Sequence, residues 1–315
     1  MSNLTAHINS RTHSEQSLTS HSRNTAALAA SRLKAIHFEE TGYLLGLLHD
    51  LGKGTVLFNE YIHSPDTYRR GEIHHAPSGA IFVYEHWYKN ASSAADKLTA
   101  QLIAMVIYGH HGGLMDVVSQ NGVEILKNAL EQDRGPLGYD EAVSNFRAET
   151  ADYNELDGRF CKAVGELKRF LGALNSCCKE RRRIFISLLA RLLLSALVDA
   201  DRLDSACFGY STDPFAERKS PDWAAALSAL ENTLAAFPCV HEIDRIRKAI
   251  SDECSLAADS SDRIFRLTVP TGGGKTFSSL RFALKRASAA GDIKRIFYVI
   301  PFNTILDQNA RDIRT

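Results

Sequence analysis

Residues 41–53 have the sequence TGYLLGLLHDLGK, and this stretch decides the fold of the front part of the chain. Its apolar residues predict a helix that must be buried, and Gly52 and Gly54 help to end that helix. The pair His49-Asp50 stands at its end. Burying an imidazole and a carboxylate there is costly unless hydrogen bonds or a metal ion satisfy them. The stretch therefore predicts a helical core with a polar site at its edge.

Further helices are predicted on both sides of this stretch. Helical patterns cover residues 17–36, 76–89, 96–109 and 160–204. The longest apolar run extends from Ile184 to Val198, with Arg191 in its middle. It is too short to span a bilayer, so it predicts a buried helix and no membrane segment. No strand is predicted before residue 260, and we expect this part of the chain to be mainly α.

A different pattern begins after the polar, turn-rich residues 206–221, which we interpret as a linker. Two helices are predicted next, at residues 222–236 and 241–255. The strings RIFRLTVP and RIFYVIP then predict two strands, each followed by a helix. This alternation is typical of a parallel α/β layer.

Composition places limits on the function. The formal net charge is zero, so any binding of nucleic acid must come from local basic patches. The six cysteines form no CxxC pair, which in a chain of 315 residues predicts reduced thiols and a cytoplasmic protein. Residues 1–16 are polar and lack the apolar segment of a secretory signal, so we expect a flexible N-terminus.

The histidines are unevenly distributed, since eleven of the twelve lie within the first 111 residues. Together with acidic residues they recur at the ends of predicted helices, and helix ends that meet can form a metal pocket. The candidates are His21, His49-Asp50, His74-His75, His110-His111, Asp199 and Asp201. Each alone has an ordinary explanation, such as a surface pair or a C-terminal turn. Their order, H…HD…H…HH…D, favours a metal site.

This ordered set resembles the HD phosphohydrolase superfamily, and more narrowly the HD nuclease domain of the CRISPR-associated nuclease–helicases of type I interference systems. The matching strings, all within residues 17–205, are SLTSHSRNTAALA, LLHDLGK, HHAPSGA, IYGHHGG and SALVDADRLDS. The resemblance implies an HD-type helical bundle that holds two metal ions. It implies that one ion is bound by His21, His49 and Asp201, that Asp50 bridges both ions, and that the second is bound by His75, His110 and His111.

Two of these assignments leave an alternative open. His75 is preferred to His74 because it immediately precedes the small residues of Ala-Pro-Ser-Gly-Ala, as the corresponding histidine does in the family. Asp201 is preferred to Asp199 because a larger residue follows the Ala-Asp pair in the family motif.

The chemistry of this set predicts its metals. Five imidazoles and two carboxylates favour a transition metal over Mg²⁺, which prefers oxygen ligands. We expect Fe²⁺ or Mn²⁺, with Ni²⁺ or Co²⁺ as stand-ins. Two ions bridged about 3.5–4 Å apart can generate a hydroxide and hold a phosphate for in-line displacement. Asp50 and Lys53 are the predicted catalytic residues, with Lys53 placed either to neutralise a phosphate oxygen or as an ordinary solvated lysine.

A phosphate-binding loop is predicted near the end of the sequence. The string VPTGGGKT, residues 269–276, follows a predicted strand and opens a predicted helix. The strict GxxxxGK[ST] pattern fails at Val269, and the form PTGGGKT resembles that of superfamily 2 helicases instead. The loop predicts binding of ATP and Mg²⁺, in the full-length form, by Thr271, Gly272, Gly273, Gly274, Lys275 and Thr276.

The sequence after this loop resembles the next helicase motif, and no Walker B box, second RecA-like domain or arginine finger follows. We therefore expect a truncated motor that is inactive as an ATPase. The predicted organisation is a flexible N-terminus at 1–16, an HD nuclease domain at 17–205, a linker at 206–221 and a partial α/β RecA-like segment at 222–315. The stretch LTVPTGGGKTFSSLRFALKRA most resembles the subtype I-C branch.

The combined resemblance implies a metal-dependent nuclease that cuts single-stranded DNA and is recruited by a CRISPR surveillance complex of the Cascade type. A nucleotide phosphohydrolase with the same metal core is the alternative, and a non-enzymatic docking fragment is a third. A closed pocket specific for one base would favour the nucleotidase. An open groove lined by basic residues such as Arg181, Arg182 and Arg183 would favour the nuclease.

Overall fold

A computed structural model describes residues 4–64, 67, 77–131, 134–216, 221–299 and 310 of the chain. The chain divides into two compact units, Met1–Ala216 and Glu217–Thr315. Each unit has its own cluster of buried apolar side chains. All six cysteines are free thiols.

The first unit begins with an antiparallel hairpin of β1 (Thr5–Ile8) and β2 (Glu15–Ser17). Leu4, Ala6 and Leu18 form a small buried cluster beside it. The sequence predicts a flexible N-terminus and no strand before residue 260, and the structure differs on both points. Leu4, Thr5 and Ala6 are all buried, and Thr5 pairs with Ser17, so the hairpin depends on contacts that the polar composition of residues 1–16 does not indicate.

Helices make up the rest of the first unit. In order, the described helices are α1 (Leu18–Leu33), α2 (Glu39–Leu48), α3 (Val56–His63), α4 (Pro77–Val83), α5 (Ala94–Gly109), α6 (Ile125–Leu130), α7 (Tyr139–Glu149), α8 (Tyr153–Ala173) and α9 (Lys179–Tyr210). A turn of π-helix at Tyr84–Tyr88 follows α4. Helix α2 is central, since it packs against α1, α5, α8 and α9. The predicted mainly helical fold is therefore confirmed for this unit.

Two glycines allow neighbouring backbones to approach α2 closely. A Cβ atom at Gly46 would lie 2.4 Å from the backbone nitrogen of Ala26 in α1. A Cβ atom at Gly79 would lie 2.0 Å from the carbonyl oxygen of Leu48. Real Cβ atoms do not come this close, so any larger residue would force the elements apart. These contacts fix the C-terminal end of α2, where His49 and Asp50 stand.

Helix α9 is longer and less buried than its sequence predicts. It continues to Tyr210, into the stretch interpreted as a linker. Leu193 and Leu197 are fully buried, whereas Ile184 and Leu188 are about half exposed. The apolar run is thus amphipathic in the structure, with only one side facing the core. Among the described residues, no helix combines the length and the hydrophobicity that crossing a membrane requires.

The second unit contains α10 (Trp223–Ala236), α11 (Glu242–Ala257) and α12 (Lys275–Ala290). Helix α12 packs against both of the others, with Leu280 and Leu284 buried against Leu230 of α10. Its Arg281 forms ion pairs with Glu231 of α10 and Asp252 of α11. The three helices are those that the sequence predicts for this region.

The predicted strands of the second unit are not formed in its described part. Residues 264–270 and 292–299 have no regular secondary structure. Ile264 and Val299 are more than nine-tenths exposed, at 92% and 93%. A strand requires a hydrogen-bonded neighbour and a covered apolar face, and within the described residues neither segment has a neighbouring strand. Of the expected partial RecA-like layer, the described residues therefore contain only helices. The helix predicted after the second strand lies almost wholly outside the described residues.

Candidate metal centre

Four helices bring six of the predicted ligands together in the first unit. These are His21 in the first turn of α1, His49 and Asp50 after α2, His110 and His111 after α5, and Asp201 in α9. The seventh predicted ligand, His75, lies outside the described residues, as does its alternative His74.

Asp50 lies at the middle of this cluster. Its Oδ2 is 3.3 Å from Nε2 of His21 and 3.2 Å from Nε2 of His49. Its other oxygen, Oδ1, is 3.8 Å from Nε2 of His110. On the opposite side, Oδ1 of Asp201 is 3.4 Å from Nε2 of His21. Three imidazoles from three helices therefore point the same nitrogen at one carboxylate.

The other nitrogen of each ring is occupied by a hydrogen bond. Nδ1 of His49 lies 2.8 Å from the carbonyl oxygen of Gly46, and Nδ1 of His110 lies 2.5 Å from that of Ile107. A carbonyl oxygen can only accept, so Nδ1 donates its proton and Nε2 carries the lone pair in the neutral ring. The last turns of α2 and α5 thus orient both imidazoles for metal binding.

The inward-facing nitrogens have no ordinary hydrogen-bond partner. Among the described residues, none hydrogen bonds to Nε2 of His21, His49 or His110, although all three atoms are buried. The nearby carboxylate oxygens are close, but they are not in hydrogen-bond geometry. An unsatisfied buried polar atom costs about 1–3 kcal/mol. Three such atoms directed at one point fit a divalent cation, which would accept all three lone pairs.

The electrostatics of the cluster agree with this fit. Burial would raise the pKa of Asp50, but the positive charges of His49 and Lys53 hold it well below its ordinary value. Burial would lower the pKa of His21, but the carboxylates of Asp201, Asp204 and Asp50 raise it to about 10. The site therefore stabilises positive charge, and a divalent ion can supply that charge in place of protons.

The donor atoms fall into two groups that share one residue. In each group, one ligand atom from every member lies within 4.8 Å of the others. The first group is His7, His21, Asp50 and Asp201, and the second is Asp50, His110 and His111. A shared carboxylate is what a bridging ligand requires. Imidazole nitrogen with carboxylate oxygen is a donor set suited to transition metals such as Mn²⁺ or Fe²⁺.

The structure separates the two aspartates that the sequence left as alternatives. Asp201 faces the cluster, and its side chain is 19% exposed. Asp199 points elsewhere, and its Oδ2 lies 2.7 Å from Nε of Arg32. Lys53 is buried, with Nζ 2.7 Å from Oδ2 of Asp50. In this structure it neutralises the carboxylate rather than standing in solvent.

Sequence reasoning missed two residues of the site. Oδ2 of Asp204 lies 2.7 Å from Nδ1 of His21. It lies one helical turn after Asp201, and this spacing on one helix face could have indicated it. His7 comes from the hairpin, and its ring centroid is 4.6 Å from that of His21. Burial lowers the pKa of His7 to about 3, and the charges of Lys53 and His21 add to the effect.

Three further histidines of the first unit lie outside the cluster. His63 lies 3.1 Å from Glu15, and His86 lies 2.9 Å from Asp157, both between side-chain atoms. His37 ends a short 3₁₀ helix in a left-handed conformation with φ of 59°. None of these three is among the grouped donor atoms of the described residues.

The predicted phosphate loop of the second unit has a loop–helix geometry. Gly272 and Gly274 have φ angles of +85° and +79°, which L side chains rarely adopt, and α12 begins at Lys275. Backbone N–H groups at such a helix start suit a phosphate. The carbonyl oxygen of Gly272 accepts a hydrogen bond from Nε of Arg247 at 2.8 Å. The preceding strand that such a loop usually requires is not formed.

Two comparisons with known proteins bear on this site. A family model described as the HD domain matches residues 18–144. The CRISPR-associated nuclease/helicase Cas3 of Haloferax volcanii is 24% identical over 304 residues, and the match covers 83% of this chain and 31% of that protein. The chain therefore spans about a third of the length of the curated relative that it matches. The match of residues 18–144 to the HD domain, together with the grouped histidine and aspartate donors, supports a metal-dependent hydrolase.

Proposed function

We propose that the chain is a metal-dependent nuclease that hydrolyses phosphodiester bonds of single-stranded DNA in type I CRISPR interference. The observation that carries this proposal is the convergence of three buried Nε2 atoms, from His21, His49 and His110, on Asp50. The similarity to Haloferax volcanii Cas3, which extends over most of this chain, favours nucleic acid over a free nucleotide as the substrate.

Each residue of the cluster receives a role. One ion would be held by His21, His49 and Asp201, the other by His110 and His111 with His75, and Asp50 would bind both. We expect Fe²⁺ or Mn²⁺, with Ni²⁺ or Co²⁺ as replacements. When bound, such ions supply a hydroxide at neutral pH and neutralise charge on the phosphate.

The chain itself contributes orientation and charge. The Nδ1 contacts of His49 and His110 hold both rings in place, so their Nε2 atoms are preorganised for the metal. Nζ of Lys53 lies 2.7 Å from Oδ2 of Asp50. We infer that this ammonium also faces the scissile phosphate, where it would stabilise the negative charge that develops during hydrolysis.

Access to the cluster is compatible with a polymeric substrate. Asp50 and His49 are buried, but His111 is exposed and the Asp201 side chain is partly exposed. The site is therefore open on the side of these two residues. An extended strand of DNA can reach such an edge, whereas a nucleotidase needs walls that enclose one base.

The second unit supports a coupling to a motor. We infer that Thr271–Thr276 bind ATP and Mg²⁺, because the two glycines with positive φ precede the start of α12. A surveillance complex of the Cascade type would recruit the protein to the displaced DNA strand. The cytoplasm is the compartment where such a substrate and ATP occur together.

The test is cleavage of circular single-stranded DNA by the purified chain with Mn²⁺ or Ni²⁺. The double variant His49→Ala/Asp50→Ala removes the centre of the cluster, and His86→Ala serves as a control histidine outside it. Metal-dependent cutting that is lost only in the double variant supports the proposal. Release of phosphate from mononucleotides without cutting of DNA would instead assign the site to a nucleotidase. No hydrolysis of either substrate would favour a docking role.

A further inference from the structure

The N-terminal hairpin places a histidine beside the metal cluster that the HD resemblance does not include. We propose that His7 is an additional ligand of the ion held by His21 and Asp201. This inference rests on the proposed metal centre and extends it to the first strand of the chain, which lies outside the residues matched by the HD model.

The geometry of the donor atoms supports this role. A ring nitrogen of His7 lies within 4.8 Å of ligand atoms from His21, Asp50 and Asp201. The rings of His7 and His21 pack edge to face, with an interplanar angle of 82°. Nε2 of His21, fully buried and without a hydrogen bond among the described residues, is directed into the same space. His7 therefore shares a pocket with an imidazole that already requires a cation.

The ring of His7 is oriented by a partner on α9. Its Nε2 lies 3.2 Å from Oγ of Ser205. A metal-binding histidine commonly gives its other ring nitrogen such a partner, which fixes the tautomer and the direction of the ring. Ser205 stands next to Asp204, the residue that contacts Nδ1 of His21. The same end of α9 thus positions both histidines.

Both strands of the hairpin are attached to α9, which explains how His7 is held. The side-chain amide of Asn9 donates to the carbonyl oxygens of Phe208 and Gly209, both at 3.1 Å. From the second strand, Nε2 of Gln16 donates to Oδ2 of Asp204 at 2.7 Å. The pairing of β1 with β2 is irregular between Thr5 and His7. Irregularities of this kind redirect a side chain at functional sites.

The proposal changes the donor count of the first ion. With His7, the donor group of that ion contains two imidazoles, His7 and His21, and two carboxylates, Asp50 and Asp201. His49 approaches the same Asp50, and the second ion keeps its own histidines after α5. Loss of His7 should therefore weaken the binding of the first ion and leave the binding of the second ion unchanged. The Co²⁺ spectrum separates this role from a purely structural role of the hairpin, because the spectrum depends on the donor atoms of the ion.

The experiment titrates the metal-free chain with Mn²⁺ by calorimetry and records the visible absorption of its Co²⁺ form. The variant is His7→Ala, and the matched control is His13→Asn, a histidine substitution in the turn of the same hairpin. We expect two ions in the wild type. In His7→Ala we expect one ion to bind about 10–100-fold more weakly, with a changed Co²⁺ spectrum. The control should resemble the wild type in both measurements.

Circular dichroism of the metal-free proteins verifies folding, and His7→Gln replaces His7→Ala if the alanine variant is unfolded. Equal Mn²⁺ affinities and equal Co²⁺ spectra in a folded His7 variant and in the wild type would overturn the role of His7 alone. A wild-type chain that binds no Mn²⁺ and no Co²⁺ would instead overturn the metal centre on which this inference rests.

Discussion

Oδ2 of Asp204 lies 2.7 Å from Nδ1 of His21, and both side chains are buried. The same carboxylate accepts hydrogen bonds from the side-chain amides of Gln16 and Asn24. It is therefore fixed by three neighbours and directs Nε2 of His21 towards Asp50. Carboxylates behind metal-binding histidines raise the basicity of the ring and hold its orientation.

We predict that Asp204→Asn weakens Mn²⁺ binding by about 10–100-fold, because the neutral amide no longer raises the basicity of the His21 ring. Calorimetric titration of the metal-free protein measures this change. Asp199→Asn is the control, since Asp199 lies on the same helix but pairs with Arg32 away from the cluster. Equal affinities in the two variants would contradict the role assigned to Asp204.

Metal binding should also stabilise the folded state of the chain. A ligand that binds only the folded state at one hundred times its Kd stabilises that state by about 2.7 kcal/mol. We therefore expect Mn²⁺ to raise the melting temperature of the chain and EDTA to reverse the effect. Asp50→Ala removes the shared carboxylate, so its melting temperature should not respond to Mn²⁺. A full response in Asp50→Ala would place the bound ion elsewhere.

The close approach of α1 and α2 yields a prediction from sterics alone. Gly46→Ala places a methyl group against the backbone of Ala26, and overpacking of this kind costs about 1–3 kcal/mol or more. Gly158→Ala is the matched control in α8, where an added Cβ meets nothing within 4 Å. Because alanine is the better helix former, this control should stabilise by about 0.5–1 kcal/mol. Urea unfolding of both variants measures the difference in the free energy of unfolding. Equal effects of the two substitutions would refute the close approach of α1 and α2 at Gly46.

The helical core and much of the site could be predicted from sequence because the signals are local. The apolar residues of α2 and the following His49-Asp50 pair lie in one short stretch, and the double histidine after α5 is equally compact. His7 could not be found this way, since its partner Ser205 is 198 residues away and only the tertiary fold brings them together. A polar N-terminus gives no sign that a hairpin will dock on α9.

In the second unit, the sequence predicts strands that the described residues do not form. The alternating apolar residues of RIFRLTVP favour a strand, but a strand also depends on neighbours that a local pattern does not contain. In the described residues that segment has no regular secondary structure and is mostly exposed, whereas α12, with its own amphipathic pattern, is formed where the sequence predicts it. Helices satisfy their hydrogen bonds internally, and this is why they were the more predictable elements.

Glu166 of α8 holds the N-terminal end of the helix that carries the HD pair. Its carboxylate accepts hydrogen bonds from the backbone N–H groups of Glu40 and Thr41, at 2.8 and 3.0 Å, and from Oγ1 of Thr41 at 2.7 Å. Glu166→Ala leaves these donors without their acceptor, so we expect a loss of about 1–3 kcal/mol in urea unfolding. Glu166→Gln keeps an acceptor and should cost less, and an equal cost for both would argue against the capping role.

The same residue predicts a pH dependence of stability. Burial raises the pKa of Glu166, and the hydrogen bonds from Thr41 and Glu40 only partly oppose this effect. The folded state therefore binds this proton more tightly than the unfolded chain. The resulting stabilisation is complete below the unfolded pKa and is lost as the pH rises through the folded pKa. The free energy of unfolding of the wild type, relative to Glu166→Gln, should thus fall between acidic and neutral pH. A relative stability that rises over this range would show that the hydrogen bonds outweigh burial.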